Sequence, residues 1–276
     1  MWNVDYGEFC FPVKDYGGFC FSAFLLLYLS AENEFDMLGK TRGVVLRCLP
    51  YNDRYSIVHV YTESFGRVSY LFSRDRRKKT LLSKVLSMPF AVIDMEVVHL
   101  SNRDIHKVKE CRLSFPESDV FFNPLKSSLA LFLSEILYRI VKDTEPDRGM
   151  FDFLYKSVQM LEYSDAGIAN FHLVFLLQLL HYMGIFPNLE NGCNSYFDMQ
   201  EGIFTSTIPL HKYYLGKEES QVFSRLLRMS YENMALYSFS RHDRVQIINR
   251  ILEYYRLHLP EFPEIKSLSV LQALFE

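Results

Sequence analysis

Residues 55–72 read Tyr55-Ser56-Ile57-Val58-His59-Val60-Tyr61-Thr62-Glu63-Ser64-Phe65-Gly66-Arg67-Val68-Ser69-Tyr70-Leu71-Phe72. The stretch alternates with a period of two and is rich in β-branched and aromatic residues, which is the pattern of strands rather than helices. Ile57, His59 and Tyr61 fall on one face of the first strand, and Val58 and Val60 on the other. Ser64-Phe65-Gly66-Arg67 supplies a tight turn into a second strand, Arg67–Phe72. Working outward, the same period predicts strands at Thr41–Cys48, Phe90–Leu100 and Asp104–Arg112, with a turn at Ser101-Asn102-Arg103. Between Phe72 and Phe90, Leu81, Leu82, Val85 and Leu86 have helical spacing, which predicts a short helix within Lys79–Ser87. Five short strands with a helix between the third and fourth fit the OB-fold, a small Greek-key barrel. Some other five-stranded barrel or sandwich is the alternative.

Beyond Pro116 the period becomes helical. Asn123-Pro124 reads as an N-cap followed by proline at the first helical position, and Leu129, Phe132, Leu133, Ile136, Leu137, Ile140 and Val141 form one stripe. Further helices are expected near Gly149–Tyr163, Gly167–Met183, Glu218–Tyr231 and Arg244–Leu259. The segment 185–217 holds Pro187, Gly192, Gly202 and Pro209, with a strand-like run at Gly202–Thr207. The fold class expected is therefore α+β: an OB-type barrel over 37–115, then a helical domain over 116–276 with a small irregular or β insertion near 185–217.

Charge is distributed unevenly. The net charge of −3 is uninformative, but Met37–Arg112 carries 15 Lys/Arg against 7 Asp/Glu. The densest run is Arg74-Asp75-Arg76-Arg77-Lys78-Lys79, and clustered cations of this kind attract a polyanion. With Lys84, Lys40, Arg42, Arg47, Arg54 and Arg67 on the same small barrel, a continuous positive face is expected, suited to the phosphates of a nucleic acid. Single strands are usually held by aromatics as well, and Tyr51, Tyr55, Tyr61, Tyr70 and Phe72 are available.

Other classes lose support. There is no GxxxxGK[ST] loop, HExxH, GxSxG or CxxC, so nucleotide, zinc and acyl-transfer signatures are missing; no enzymatic activity, cofactor or metal is expected. Five cysteines at wide spacing fit a reducing cytoplasm better than a disulfide framework. Phe19–Ala31 is apolar but too short to span a bilayer as a helix, and the residues before it are acidic where a secretory signal needs positive charge. Residues 1–36 are read as a leader added by an upstream start, with Met37 opening the domain; a genuine extension and a secretory signal are the alternatives.

The residues also carry a family resemblance. Thr41-Arg-Gly-Val-Val-Leu-Arg47 resembles the opening strand of bacterial RecO proteins, and Tyr55–Arg67 their second strand and T-E-x-x-G turn. The basic run before Leu86-x-x-Pro89, the segment Tyr182-Met-Gly-Ile-Phe-Pro-Asn-Leu189 with Gly192-Cys193, and the closing Tyr254–Leu268 are similar to later parts of the family, the last to its Bacteroidetes branch. The five pieces stand in the family's order. Many RecO proteins hold zinc with four cysteines; here Cys193 stands alone and Tyr196 replaces the second, so packing of Tyr196, Phe197 and Phe204 is expected to support a degenerate zinc-site insertion. The resemblance implies a recombination mediator in DNA repair that binds single- and double-stranded DNA, anneals complementary strands, binds the tail of the single-strand binding protein SSB, and joins RecR to load RecA; the barrel cations named above are then its DNA-binding residues. It implies a cationic border around the SSB-tail pocket, for which Arg139, Lys142 and Lys156 are the candidates. The competing readings are an RNA-binding or translation-associated OB protein, which would ignore the SSB tail, and an enzyme with a dispersed site, which would show turnover.

Overall fold

Alternating burial along residues 37–113 builds five strands: β1 (Met37–Pro50), β2 (Tyr55–Thr62), β3 (Gly66–Ser73), β4 (Val92–His99) and β5 (Ile105–Leu113). They close in the order β1-β2-β3-β5-β4, with β3 and β5 parallel and the other pairs antiparallel. The structure is a computed structural model, and it describes residues 37–73, 88–99, 103–116, 118–142, 145–189 and 196–274. The leader, the basic run from Arg74 to Lys79 and the short helix expected within Lys79–Ser87 lie outside the described residues.

Val45, Val58, Val60, Val68, Tyr70, Phe72, Ile93 and Val97 fill the barrel. A bulge between Val45 and Arg47 inserts one residue into β1 against β2, and such an insertion re-aims the neighbouring side chains. Val45 points into the barrel, while Val44 and Leu46 point out of it and join a second core. That second core also takes Tyr61, Phe90 and Val92 from the barrel and Phe132, Leu133, Ile136 and Phe175 from the helices. Each such fully buried apolar side chain stabilises the fold by about 1.5–3 kcal/mol, so the barrel's outer β1 wall is cemented to the helical domain. Phe90 sits at φ 70°, a left-handed position that stops β4 from starting there. It is held by Phe90 N–H donating to the Val45 carbonyl at 2.7 Å and by its ring lying 5.7 Å from Phe175.

The helical domain comprises α1 (Pro124–Ile140), α2 (Arg148–Tyr163), α3 (Phe171–Tyr182), α4 (Lys217–Leu226), α5 (Arg241–His258) and α6 (Leu268–Leu274). Asn123 caps α1, accepting from Leu125 N–H and Lys126 N–H, with Pro124 in the first turn. The expected stripe of α1 is buried apart from the half-buried Ile140. α3 is buried on nearly every side, Leu173, Val174 and Leu177 included, so it is the central helix and not the one-faced helix its spacing suggests. A 3-10 turn, Ile168–Asn170, precedes it, and Gly184 at φ 69° ends it. α4 stops at Leu226, short of the expected Tyr231, because the chain turns in to bury Met229 and Tyr231, whose hydroxyl reaches Ser157 Oγ at 2.8 Å.

The insertion is a three-stranded sheet, β6 (Tyr196–Asp198), β7 (Ile203–Thr205) and β8 (Tyr214–Leu215), in the order β7-β6-β8. Phe197 is its centre, with ring centroids 4.8 Å from Phe204, 4.8 Å from Phe223 and 5.9 Å from Tyr254. Asp198 accepts from Gln200 N–H and Glu201 N–H and lies 3.1 Å from His211 Nε2. Tyr196 packs at the edge, 6.1 Å from Tyr214. Cys193 lies outside the described residues. Among the described residues there is no group of three or more His, Cys, Asp or Glu that could hold a metal, and no helix long and apolar enough to cross a membrane.

Candidate nucleic-acid interface

Register decides where the barrel cations stand. On the wall formed by β5, β4 and β1, Arg112 is opposite Asp94 and Asp94 opposite Arg42; one row along, Glu110 is opposite Glu96 and Glu96 opposite Lys40. Arg42 Nε donates to Glu63 at 3.0 Å and Arg112 Nε to Asp94 at 3.1 Å. The shared hydrogen bond holds the Glu63 carboxyl below its ordinary range and the Arg42 guanidinium above its own. Arg42 also lies 4.8 Å from the Tyr155 ring of α2. This wall is a mixed-charge lattice and not a positive surface.

Arg47 and Arg67 are occupied elsewhere. Both guanidiniums lie over the Tyr138 ring near the end of α1, at 4.9 and 4.6 Å, and His59 lies 5.0 Å from the same ring. Arg67 Nη1 donates to the Tyr138 carbonyl at 2.9 Å and to the Val141 carbonyl at 2.6 Å. These are carbonyls at a helix C-terminus, where the unsatisfied acceptors and the negative end of the dipole favour a cation. Burial, aided by the charges of Arg67 and Arg47, pushes the His59 pKa down.

The continuous positive face expected from the sequence is therefore not present among the described residues. Lys40 and Arg42 stand among carboxylates, Arg47 and Arg67 clamp the joint between domains, and Arg54 stands on the exposed β1–β2 turn. Arg74, Arg76, Arg77, Lys78, Lys79 and Lys84 lie outside the described residues.

What the barrel does offer is an open half-face. The outward residues of β1, β2, β3 and β5 form rows: Arg47–His59–Ser69–Ile105, then Leu49–Ile57–Leu71–Lys107, then Tyr55–Ser73. The helical domain seals the lower end, where Tyr61 is buried and His59 and Arg67 meet Tyr138. The upper end is open, with Ile57 and Leu71 half-buried as an apolar floor and Tyr51, Arg54, Tyr55, Lys107 and Lys109 exposed. Lys109 owes its position to a bulge in β5 against Glu96/Val97, which leaves Lys109 and Glu110 both exposed in succession. β3 ends at Ser73, opposite Tyr55 and at the edge of this half-face, and in sequence the basic run follows Ser73.

Sequence reasoning missed Lys107 and Lys109 as site residues. Their alternate spacing along the fifth strand marks them as sharing a face, but only the parallel β3–β5 pairing brings that face beside Ser69 and Leu71.

On the helical domain, Arg139 is held by Glu135 at 3.1 Å, Lys142 is exposed near Glu261, and Lys156 is exposed on α2. None of the three lines the cavity of about 750 Å³ between α4 and α5, whose floor includes Val222, Phe223 and Ile247 and whose rim includes Glu218, Glu219, Asp243, Arg225 and Arg250.

A five-stranded barrel closed in this order, with an open strand 2–3 face and a docked helical domain, defines a protein of the OB class, whose ligands lie on that face and on the adjoining loops. Comparison with known proteins carries this further. The family model for the N-terminal domain of recombination protein O matches residues 37–116, and that for its C-terminal domain matches residues 122–268. The chain belongs to the RecO family. It is 41% identical over 241 residues to a protein of Azobacteroides pseudotrichonymphae, 42% over 242 to one of Bacteroides fragilis and 35% over 245 to one of Porphyromonas gingivalis. Each alignment covers 87% of this chain and the whole of the relative, and each relative is named DNA repair protein RecO. Membership of the family supports a role in DNA repair and recombination.

Proposed function

We propose that the chain is a non-enzymatic, cytoplasmic recombination mediator that binds single- and double-stranded DNA and anneals complementary strands. It acts with RecR and SSB to load RecA. The observation that supports this most is the coincidence of family membership over both domains with an open half-face whose rim carries Arg54, Lys107 and Lys109.

The basic run follows directly from that face in sequence. Cations at a barrel rim neutralise phosphates without reading bases. Screening the charge of two strands while leaving bases able to pair is what annealing without ATP requires. In this reading Arg54, Arg74, Arg76, Arg77, Lys78, Lys79, Lys84, Lys107 and Lys109 hold the backbone, and Arg67 is left out because it serves the joint. The acidic SSB tail docks on the helical domain, where Lys142 and Lys156 are exposed to meet it.

The test is titration of labelled single-stranded DNA at several salt concentrations. Changing Arg76, Arg77, Lys78 and Lys79 together to alanine, or Lys107 and Lys109 to alanine, should weaken binding. It should also lower the slope of log affinity against log salt by about 0.7 for each phosphate deprived of its cation. Unchanged affinity and slope in both variants would remove the half-face from the account. Addition of an SSB tail peptide tests the partner separately.

A further inference from the structure

We infer that Tyr51 and Tyr55 form a stacking platform for unpaired bases, which makes the open half-face selective for single-stranded over duplex DNA. This rests on the proposed DNA-binding role and adds to it the residues that distinguish the two forms.

Five aromatic side chains of the barrel are candidates for stacking, and the fold divides them sharply. Tyr61, Tyr70 and Phe72 are 3%, 0% and 7% exposed and belong to the two cores, whereas Tyr51 is 63% and Tyr55 38% exposed. The two exposed rings are carried at the end of one hairpin. Tyr51 N–H donates to the Tyr55 carbonyl at 3.1 Å, so the two residues stand opposite one another across the turn. Asn52 Oδ1 accepts from Arg54 N–H and Tyr55 N–H, both at 2.9 Å, which fixes the turn from inside. A tyrosine on a fixed backbone offers a large rigid face at low entropic cost, having only two side-chain torsions to freeze.

Single exposed tyrosines are ordinary on protein surfaces. Position makes this pair different. Tyr55 is opposite Ser73, the last residue before the basic run, and is followed along β2 by Ile57, which pairs with Leu71. Leu71 in turn pairs with Lys107. Aromatic rings, an apolar floor and a cationic rim in one place are the components of a single-strand channel, where rings take base faces and cations take phosphates. Bases stacked inside a duplex have no free face to give, so duplex DNA engages only the cations. Two independent contributions follow: a salt-dependent one from the rim, shared by both forms, and a salt-resistant one from the tyrosines, confined to single strands.

The experiment uses the full chain, a labelled twenty-nucleotide thymidine oligomer and a labelled duplex of equal length, each measured by anisotropy at two salt concentrations. Tyr51→Ala with Tyr55→Ala should lower single-strand affinity at least tenfold at both salts, since each ring contributes about a factor of ten, and leave duplex affinity within about twofold. Tyr51→Phe with Tyr55→Phe should retain most of the single-strand affinity, because the ring and not the hydroxyl does the stacking, and it guards against misfolding as the cause. Unchanged single-strand binding in the alanine variant, or an equal fall for both DNA forms, would overturn the platform while leaving the cationic face standing. A wild-type chain that bound neither probe would overturn the DNA reading itself.

Discussion

Replacing Arg67 by methionine keeps the aliphatic stem and removes the guanidinium that joins barrel to helix. The change takes away two hydrogen bonds from a charged donor to the Tyr138 and Val141 carbonyls and one ring contact at 4.6 Å. A hydrogen bond to a charged group is worth about 1.5–3 kcal/mol net, and a partly exposed cation–ring contact about 0.5–1 kcal/mol. Carbonyls at a helix end recover part of the loss by recruiting water, so the lower ends of these ranges apply and the expected cost is about 3 kcal/mol. With a urea dependence of about 3 kcal/mol per molar, the unfolding midpoint should drop by about 1 M. Affinity for single-stranded DNA, measured well below the transition, should stay within about twofold, because Arg67 is turned into the joint. Arg67→Lys should fall between, keeping the charge without the planar fork. A midpoint that did not move, together with a clear loss of DNA binding, would refute the reasoning and return Arg67 to the DNA surface.

Three further outcomes follow from the buried groups. His172 is fully buried on α3, and burial, with a smaller contribution from the Arg244 charge, lowers its pKa to about 3. The unfolded chain takes up that proton near pH 6.5 and the folded chain does not until about pH 3, so this stability is complete above 6.5 and is lost on acidification. The slope is about 1.4 kcal/mol per pH unit, or about 2 kcal/mol between pH 7 and 5; His172→Gln should flatten that limb in urea titrations at the two pH values, and an unchanged slope would contradict it. Phe197→Ala should destabilise the insertion by about 3–5 kcal/mol, since it empties the ring cluster against Phe204, Phe223 and Tyr254. If that packing replaces a metal, a chelator should leave the wild-type melting temperature unchanged, and a stoichiometric zinc content would show otherwise.

Much of the fold was legible because its periodicities are clean. The strand expected at Tyr55–Thr62 has those bounds, and the others agree within a few residues at most ends. The disagreements have local causes: Phe90 adopts a left-handed backbone that no composition signals, and α4 ends early to bury Met229 and Tyr231. The site was less legible. Alternation tells which residues of one strand share a face, but not which strand lies beside it. Lys40 and Arg42 could be counted as cations; only the β1–β4 pairing sets them against Glu96 and Asp94. Arg47 and Arg67 could be placed on outward faces, but the helix that covers them begins far along the chain, at Pro124, and announces nothing of its docking. Conversely Lys107 joins the open half-face through a parallel pairing that only closure of the barrel creates, and Lys109 follows it two residues further along β5.

The central claim is that DNA lies on the upper, open half of the β2–β3 face. Photo-crosslinking a halogenated single strand to the full chain, followed by peptide mapping, reads this directly. Adducts are expected at Tyr51–Ile57, Leu71–Lys79 and Arg103–Lys109. Adducts confined to the Lys40–Glu96–Glu110 wall, or to the helical domain alone, would place the strand elsewhere and contradict the account.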